Sequence, residues 1–92
     1  MKYFIDTHDV SKGYFPEGEI SAEEFRQAFN RFDKVAEDIG VTALRTHVSL
    51  KDGKAYCFTK GVDAEAVRRA HEEAEFPFDS ITEVTTVTGS DL

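Results

Sequence analysis

The dipeptide Asp52-Gly53, set between two strand-like runs, constrains this chain more than any other feature. Val41 through Leu50 precede it and Lys54 through Lys60 follow it. An Asp-Gly pair between such runs is the strongest short signal for a β-hairpin. A two-residue turn predicts Val48 opposite Cys57, Leu50 opposite Ala55 and His47 opposite Phe58. One sheet face then carries Leu44, Val48, Leu50, Ala55 and Cys57 and is expected to meet helices. The other carries Arg45, His47, Ser49, Tyr56 and Phe58.

Each side of this hairpin reads as one helix and one strand. Tyr3 to His8 is a short aromatic and β-branched run, a first strand. Ser21-Ala22-Glu23-Glu24 has the pattern of a capping box. Phe25, Ala28, Phe29, Phe32, Val35, Ala36 and Ile39 follow at helical spacing, and Gly40 is a fitting residue to end the helix. Asp63 predicts the N-cap of a second helix with Val67, Ala70, His71 and Ala74 on one face, stopped by Phe76-Pro77. Ile81 to Val87, rich in threonine and valine, predicts the last strand. The order is βαββαβ: an α+β, ferredoxin-like fold with a four-stranded antiparallel sheet, strand order 4-1-3-2, and both helices on one face. The stretch from Asp9 to Ile20 is a loop of unusual length for so small a chain.

Ninety-two residues fit a single domain spanning 1–92. With 11 basic and 18 acidic residues the formal charge is −7, which argues against nucleic acid and anionic membrane as partners. No apolar run approaches the ~20 residues of a spanning helix, and Met1-Lys2-Tyr3-Phe4 does not open a signal peptide. Cys57 is the lone cysteine, so an internal disulfide is impossible, and a reducing, cytoplasmic location is expected. Within its strand Cys57 is expected to pack as a small hydrophobe. The sheet face away from the helices is uncovered, offers Phe4, Tyr56 and Phe58, and is expected to pair two copies as a homodimer.

His8, His47 and His71 are the candidates for chemistry. If Tyr3 and Ile5 point to the helices, alternation puts Phe4, Asp6 and His8 on the face shared with His47. Strands about 4.8 Å apart place two histidines that flank one strand roughly 10 Å apart at the backbone, within reach of one ion. His71 either leans around the edge to join them or faces the core. Imidazoles with Asp6 suit nickel, zinc or copper rather than magnesium or calcium. Asp6 alternatively orients His8 as an acceptor behind it. No local histidine spacing, phosphate-binding glycine motif, Ser-His-Asp set or paired-carboxylate site is present.

Read in order, Phe4-Ile5-Asp6-Thr7-His8, Ile39-Gly40-Val41, Ala55-Tyr56-Cys57-Phe58 and the stretch Asp63 to Ala74, closing with Pro77 and Ile81-Thr82-Glu83-Val84, resemble a known family. It is a family of small bacterial domains that includes a nickel-binding protein, and the similarity runs from about Tyr3 to Val84. The resemblance implies a ferredoxin-like fold, dimerisation and divalent-metal binding through histidines, with His8, His47 and His71 at matching positions. Members of that family often carry histidine where this chain has Phe29 and Phe76. The function expected is a non-catalytic, nickel-type metal-binding homodimer with His8, His47, His71 and Asp6 at its centre. The alternative is a cofactor-free dimeric oxygenase or isomerase, with Phe25, Phe29, Phe32, Tyr56, Phe58 and Phe76 lining a pocket and a histidine as base. A third reading is a small structural or regulatory partner domain.

Overall fold

A computed structural model describes residues 1–9, 11 and 21–91. Six elements follow in the order βαββαβ: β1 (Lys2–Asp9), α1 (Ala22–Ile39), β2 (Thr42–Ser49), β3 (Lys54–Gly61), α2 (Ala64–Glu73) and β4 (Ser80–Val84). The strands form one antiparallel sheet in the order β2-β3-β1-β4, so the ferredoxin-like arrangement is present as expected. Most of the long segment after Asp9 lies outside the described residues. No described helix is long and apolar enough to cross a membrane.

Local chemistry sets the helix ends. The Ser21 side chain accepts from the Glu24 backbone N–H, and the Glu24 side chain accepts from the Ser21 N–H, closing the capping box. Gly40 ends α1 at φ +88°, and Val41 N–H returns to the Ala36 carbonyl. The end of α2 repeats this turn with a different residue. Glu75 N–H donates to Glu72 O, and Phe76 N–H donates to His71 O at 2.9 Å. Those two bonds are a Schellman motif, whose left-handed residue is usually glycine. Here it is Glu75, at φ +55°. The helix therefore stops three residues before Phe76, and the turn sends the Phe76 ring back into the core. Arg31 of α1 donates to the Ala74 carbonyl, tying the two helices at that end.

The core lies between the helices and one sheet face. Phe4, Ala55, Phe25, Phe32, Ala36, Val41, Val67, Ala70, Ala74 and Phe76 fill it. Burying each phenylalanine contributes roughly 1.5–3 kcal/mol.

β4 ends at Val84, short of the expected Val87, and two further details of the sheet differ from expectation. The hairpin pairs Ser49 with Lys54, Val48 with Ala55 and His47 with Tyr56. The connecting loop is thus four residues, 50–53, and the pairing is displaced by two, which leaves Ala55 and Cys57 on the helix face. A bulge between Ala43 and Arg45 accommodates Leu44, which is exposed, as is Val48. The second difference is in β1, whose alternation is the reverse of that expected. Phe4, Asp6 and His8 are fully buried beneath the helices, while Tyr3 stacks on Phe58 at 5.6 Å on the opposite face. The open face therefore offers Tyr3, Ile5, Tyr56 and Phe58 in place of Phe4. The central position of β1, between β3 and β4, leaves its helix-side residues wholly enclosed. Phe4 packs in that enclosure, and Asp6 and His8 enter because partners there satisfy them.

Candidate metal centre

Asp6 stands at the centre of a buried polar cluster. Its Oδ1 accepts from the Thr59 hydroxyl at 2.7 Å. Its Oδ2 lies 2.8 Å from His71 Nε2 and 3.3 Å from His8 Nε2. Cys57 Sγ sits 3.7 Å from the same His8 nitrogen, and Thr46 Oγ1 donates to that sulfur at 3.3 Å. Asp6, His8 and Cys57 each present one donor atom, all within 4.8 Å of one another. Their side chains and that of His71 are all but inaccessible to solvent.

Each part follows from local structure. In β1 a period of two brings Asp6 and His8 to the same face. In β3 the same period lines up Ala55, Cys57 and Thr59, and pairing sets Cys57 directly across from Asp6. His71 comes from the apolar stripe of α2. Aromatic rings wall the cluster: Phe76 stacks on His8 at 4.7 Å, and Phe32 lies 4.5 Å from His71. Phe76 thus occupies the space beside His8 that another imidazole would need.

The second nitrogen of each imidazole decides what the first can do. His71 Nδ1 faces the Val67 carbonyl at 2.8 Å, and His8 Nδ1 faces the Pro77 carbonyl. A carbonyl oxygen only accepts, so both Nδ1 atoms carry the proton. In neutral rings both Nε2 atoms are then bare lone pairs, and both are aimed at one carboxylate oxygen. Burial disfavours a charged Asp6, but hydrogen bonds from His71 and His8, positive charge on His71 and the Thr59 hydroxyl outweigh it. Together they hold the carboxyl down at about 2. Those hydrogen bonds belong to protonated rings, which donate from Nε2 to Asp6; in neutral rings the two lone pairs and the ionised oxygen repel each other, and a metal ion would take the place of the ring protons.

The donors of Asp6 and His8 stand at a separation that fits a metal. A tetrahedral centre with metal–nitrogen and metal–oxygen bonds of about 2.0–2.2 Å has donor–donor edges near 3.4 Å, and closer to 3 Å if octahedral. The 3.3 Å between His8 and Asp6 falls on that scale, while the 2.8 Å between His71 and Asp6 is the length of a hydrogen bond. The carbonyls behind His8 and His71 fix their tautomers, as outer partners of metal-ligating histidines commonly do.

His47 does not join this group. It pairs with Tyr56 and lines an open depression of about 300 Å³ with Ile5, Arg45 and Phe58, on the far side of the sheet. The sheet itself separates it from His8. Of the four residues singled out in the sequence, the structure brings together Asp6, His8 and His71. Reversing β1 carries His8 away from His47, and the helix stripe carries His71 into the core toward it. Sequence reasoning missed Thr59 and assigned Cys57 only to packing. Their shared parity with Ala55 in β3 was the available signal.

An enclosed aromatic chamber is absent among the described residues. Phe25 and Phe32 pack against Phe76 at 6.4 and 5.7 Å and leave little room between them. Besides the depression beside His47, an open one of about 520 Å³ touches His71 and is bordered by Glu72, Glu75, Phe76, Phe78 and Asp79.

Residues 4–84 match the family model described as "Nickel responsive protein SCO4226-like". The fold is similar to the crystal structure of SCO4226 from Streptomyces coelicolor A3(2). That similarity has a TM-score of 0.79 and 30% sequence identity, over 94% of this chain and 99% of the other. It is also similar to the NMR structure of heavy metal binding protein TM0320 from Thermotoga maritima, with a TM-score of 0.48 and 20% identity over 89% and 98% of the two chains. No curated protein sequence matches significantly.

Proposed function

This chain belongs to the nickel-responsive SCO4226-like family, and from that premise we propose that it binds a divalent metal of the nickel type in the buried cluster of β1 and α2. His8 and His71 supply Nε2 nitrogens and Asp6 supplies a carboxylate oxygen. Nickel and zinc are the favoured ions, because two imidazoles with one carboxylate suit them better than magnesium or calcium. The observation that carries the reading is the pair of Nδ1–carbonyl hydrogen bonds. They leave the two Nε2 atoms facing one carboxylate oxygen, an arrangement in which a metal ion would take the place of the ring protons. Once bound, the ion supplies their positive charge. The protein's part is to hold the rings and the carboxylate in place, exclude water and keep both tautomers fixed.

The protein acts in this reading as a non-catalytic homodimer, joined through the open sheet face. Tyr3 stacked on Phe58, with Ile5 and the Arg45 guanidinium over the Phe58 ring, supports that surface as an interface. The test of the metal centre is titration calorimetry with nickel and zinc on protein purified without an affinity tag. Replacement of His8, His71 or Asp6 by alanine should each lower affinity by more than about 100-fold, since each removes a ligand outright rather than an outer partner worth roughly 10–100-fold. His47→Ala should bind as the unaltered protein does. The reverse pattern, with loss in His47→Ala alone, excludes this centre.

A further inference from the structure

Cys57 packs where its strand parity requires, yet its sulfur is not merely core. Sγ lies 3.7 Å from His8 Nε2 and belongs with a carboxylate oxygen of Asp6 to one group of donors within 4.8 Å. We propose that Cys57 is a further ligand of the centre, binding the ion through sulfur as a thiolate and making the donor set two nitrogens, one oxygen and one sulfur. The inference rests on the metal centre formed by Asp6, His8 and His71.

Three observations carry it. The sulfur–nitrogen separation is that of two ligands on one ion, since bonds of about 2.3 and 2.0 Å at a tetrahedral angle span roughly 3.5 Å. Thr46 Oγ1 donates to Sγ at 3.3 Å, from the neighbouring edge strand, and a donor at that position stabilises negative charge on sulfur. Cys57 also stands across the β1–β3 ladder from Asp6, so backbone pairing fixes its reach to the carboxylate. On binding, the S–H bond breaks, a metal–sulfur bond forms and the proton leaves to solvent, with no change in oxidation state. A thiolate directs the site toward nickel, zinc and cobalt and away from magnesium and calcium.

The experiment is absorption spectroscopy of the tag-free protein titrated with cobalt(II) and with nickel(II), beside calorimetry of Cys57→Ser and Cys57→Ala. A near-ultraviolet sulfur-to-metal charge-transfer band should grow to saturation at one ion per chain. Both variants should lack the band while keeping weakened binding, by about 10-fold or more. Stoichiometric binding without the band, or unchanged affinity in the variants, overturns the role of Cys57 and leaves the Asp6–His8–His71 centre standing. Unchanged nickel affinity in both His8→Ala and His71→Ala means the centre itself is misassigned, and the role of Cys57 is then overturned with it.

Discussion

His71 Nε2 lies 2.8 Å from Asp6 Oδ2 while its Nδ1 is held by the Val67 carbonyl one turn earlier in the same helix. The ring is thus a rigid strut between α2 and the central strand β1, with one end on a backbone oxygen and the other on a buried carboxylate. Thr59 holds the second carboxylate oxygen from β3. Helix and two strands are joined through one aspartate, so this side chain bears on stability as well as on any ion.

That link predicts an acid-side loss of stability in the metal-free protein. Asp6 falls from 3.8 in the unperturbed group to about 2 in the fold. A depressed carboxyl contributes stability that is fully present above the ordinary carboxylate range and disappears as pH falls through the folded value. The shift corresponds to about 2 kcal/mol. Urea unfolding in the presence of a chelator should show the unaltered protein ahead of Asp6→Asn by about that amount at pH 6, with the gap closing toward pH 2. Parallel pH profiles for the two proteins would refute the assignment.

Metal should act as a strong conformational ligand. Nickel at about 100 times its Kd stabilises by about 2.7 kcal/mol, and for a chain of this size each kcal/mol moves Tm by about 4–8 °C. Differential scanning fluorimetry should therefore show a rise of roughly 10–20 °C at pH 7.5, reversed by a chelator. The rise should shrink as pH falls, because protons compete with the metal for its ligand atoms. It should vanish in Asp6→Asn and persist in His47→Ala.

The two helix ends offer a matched pair of substitutions. Glu75 adopts a left-handed conformation that costs a non-glycine residue roughly 1 kcal/mol. Glu75→Gly should raise stability by about that amount. Gly40→Ala should lower it by about 1–2 kcal/mol, and since nothing lies within 4 Å of the added methyl group, the cost is in the backbone alone. Thermal melts of both variants at pH 7 check the signs.

Association through the open face is tested by Phe58→Glu. The substitution places a charge beneath Tyr3 and Ile5 without touching the buried cluster. Light scattering should report a dimer for the unaltered protein and a monomer for the variant, with one bound nickel per chain in both. A variant that remains dimeric would move the interface elsewhere.

Local signals in the sequence were read well because they depend on a few adjacent residues. The Ser21–Glu24 box, the stripe of α1, the Asp63 cap and the left-handed Gly40 all stand where spacing put them. Asp52-Gly53 announced the hairpin but not its loop length, and a displacement by two preserved the faces of β3 while changing every partner. The larger miss was β1. Tyr3-Phe4-Ile5-Asp6-Thr7-His8 carries an aromatic residue on each face, the expectation took Tyr3 and Ile5 as the inward pair, and the observed parity carries the cost of burying Asp6. What reverses that cost is His71 and Thr59, 65 and 53 residues away in sequence, which no local pattern reveals. A central strand that accepts a charge into its core is the kind of local inconsistency expected at a functional site.

The turn after α2 reaches further than its exposed position suggests. By bending the chain at Glu75 it delivers Phe76 onto the His8 ring and the Pro77 oxygen onto its far nitrogen. A change at this surface corner would therefore shift the ring and the carbonyl that hold His8, while every side chain around Asp6 stays as it is.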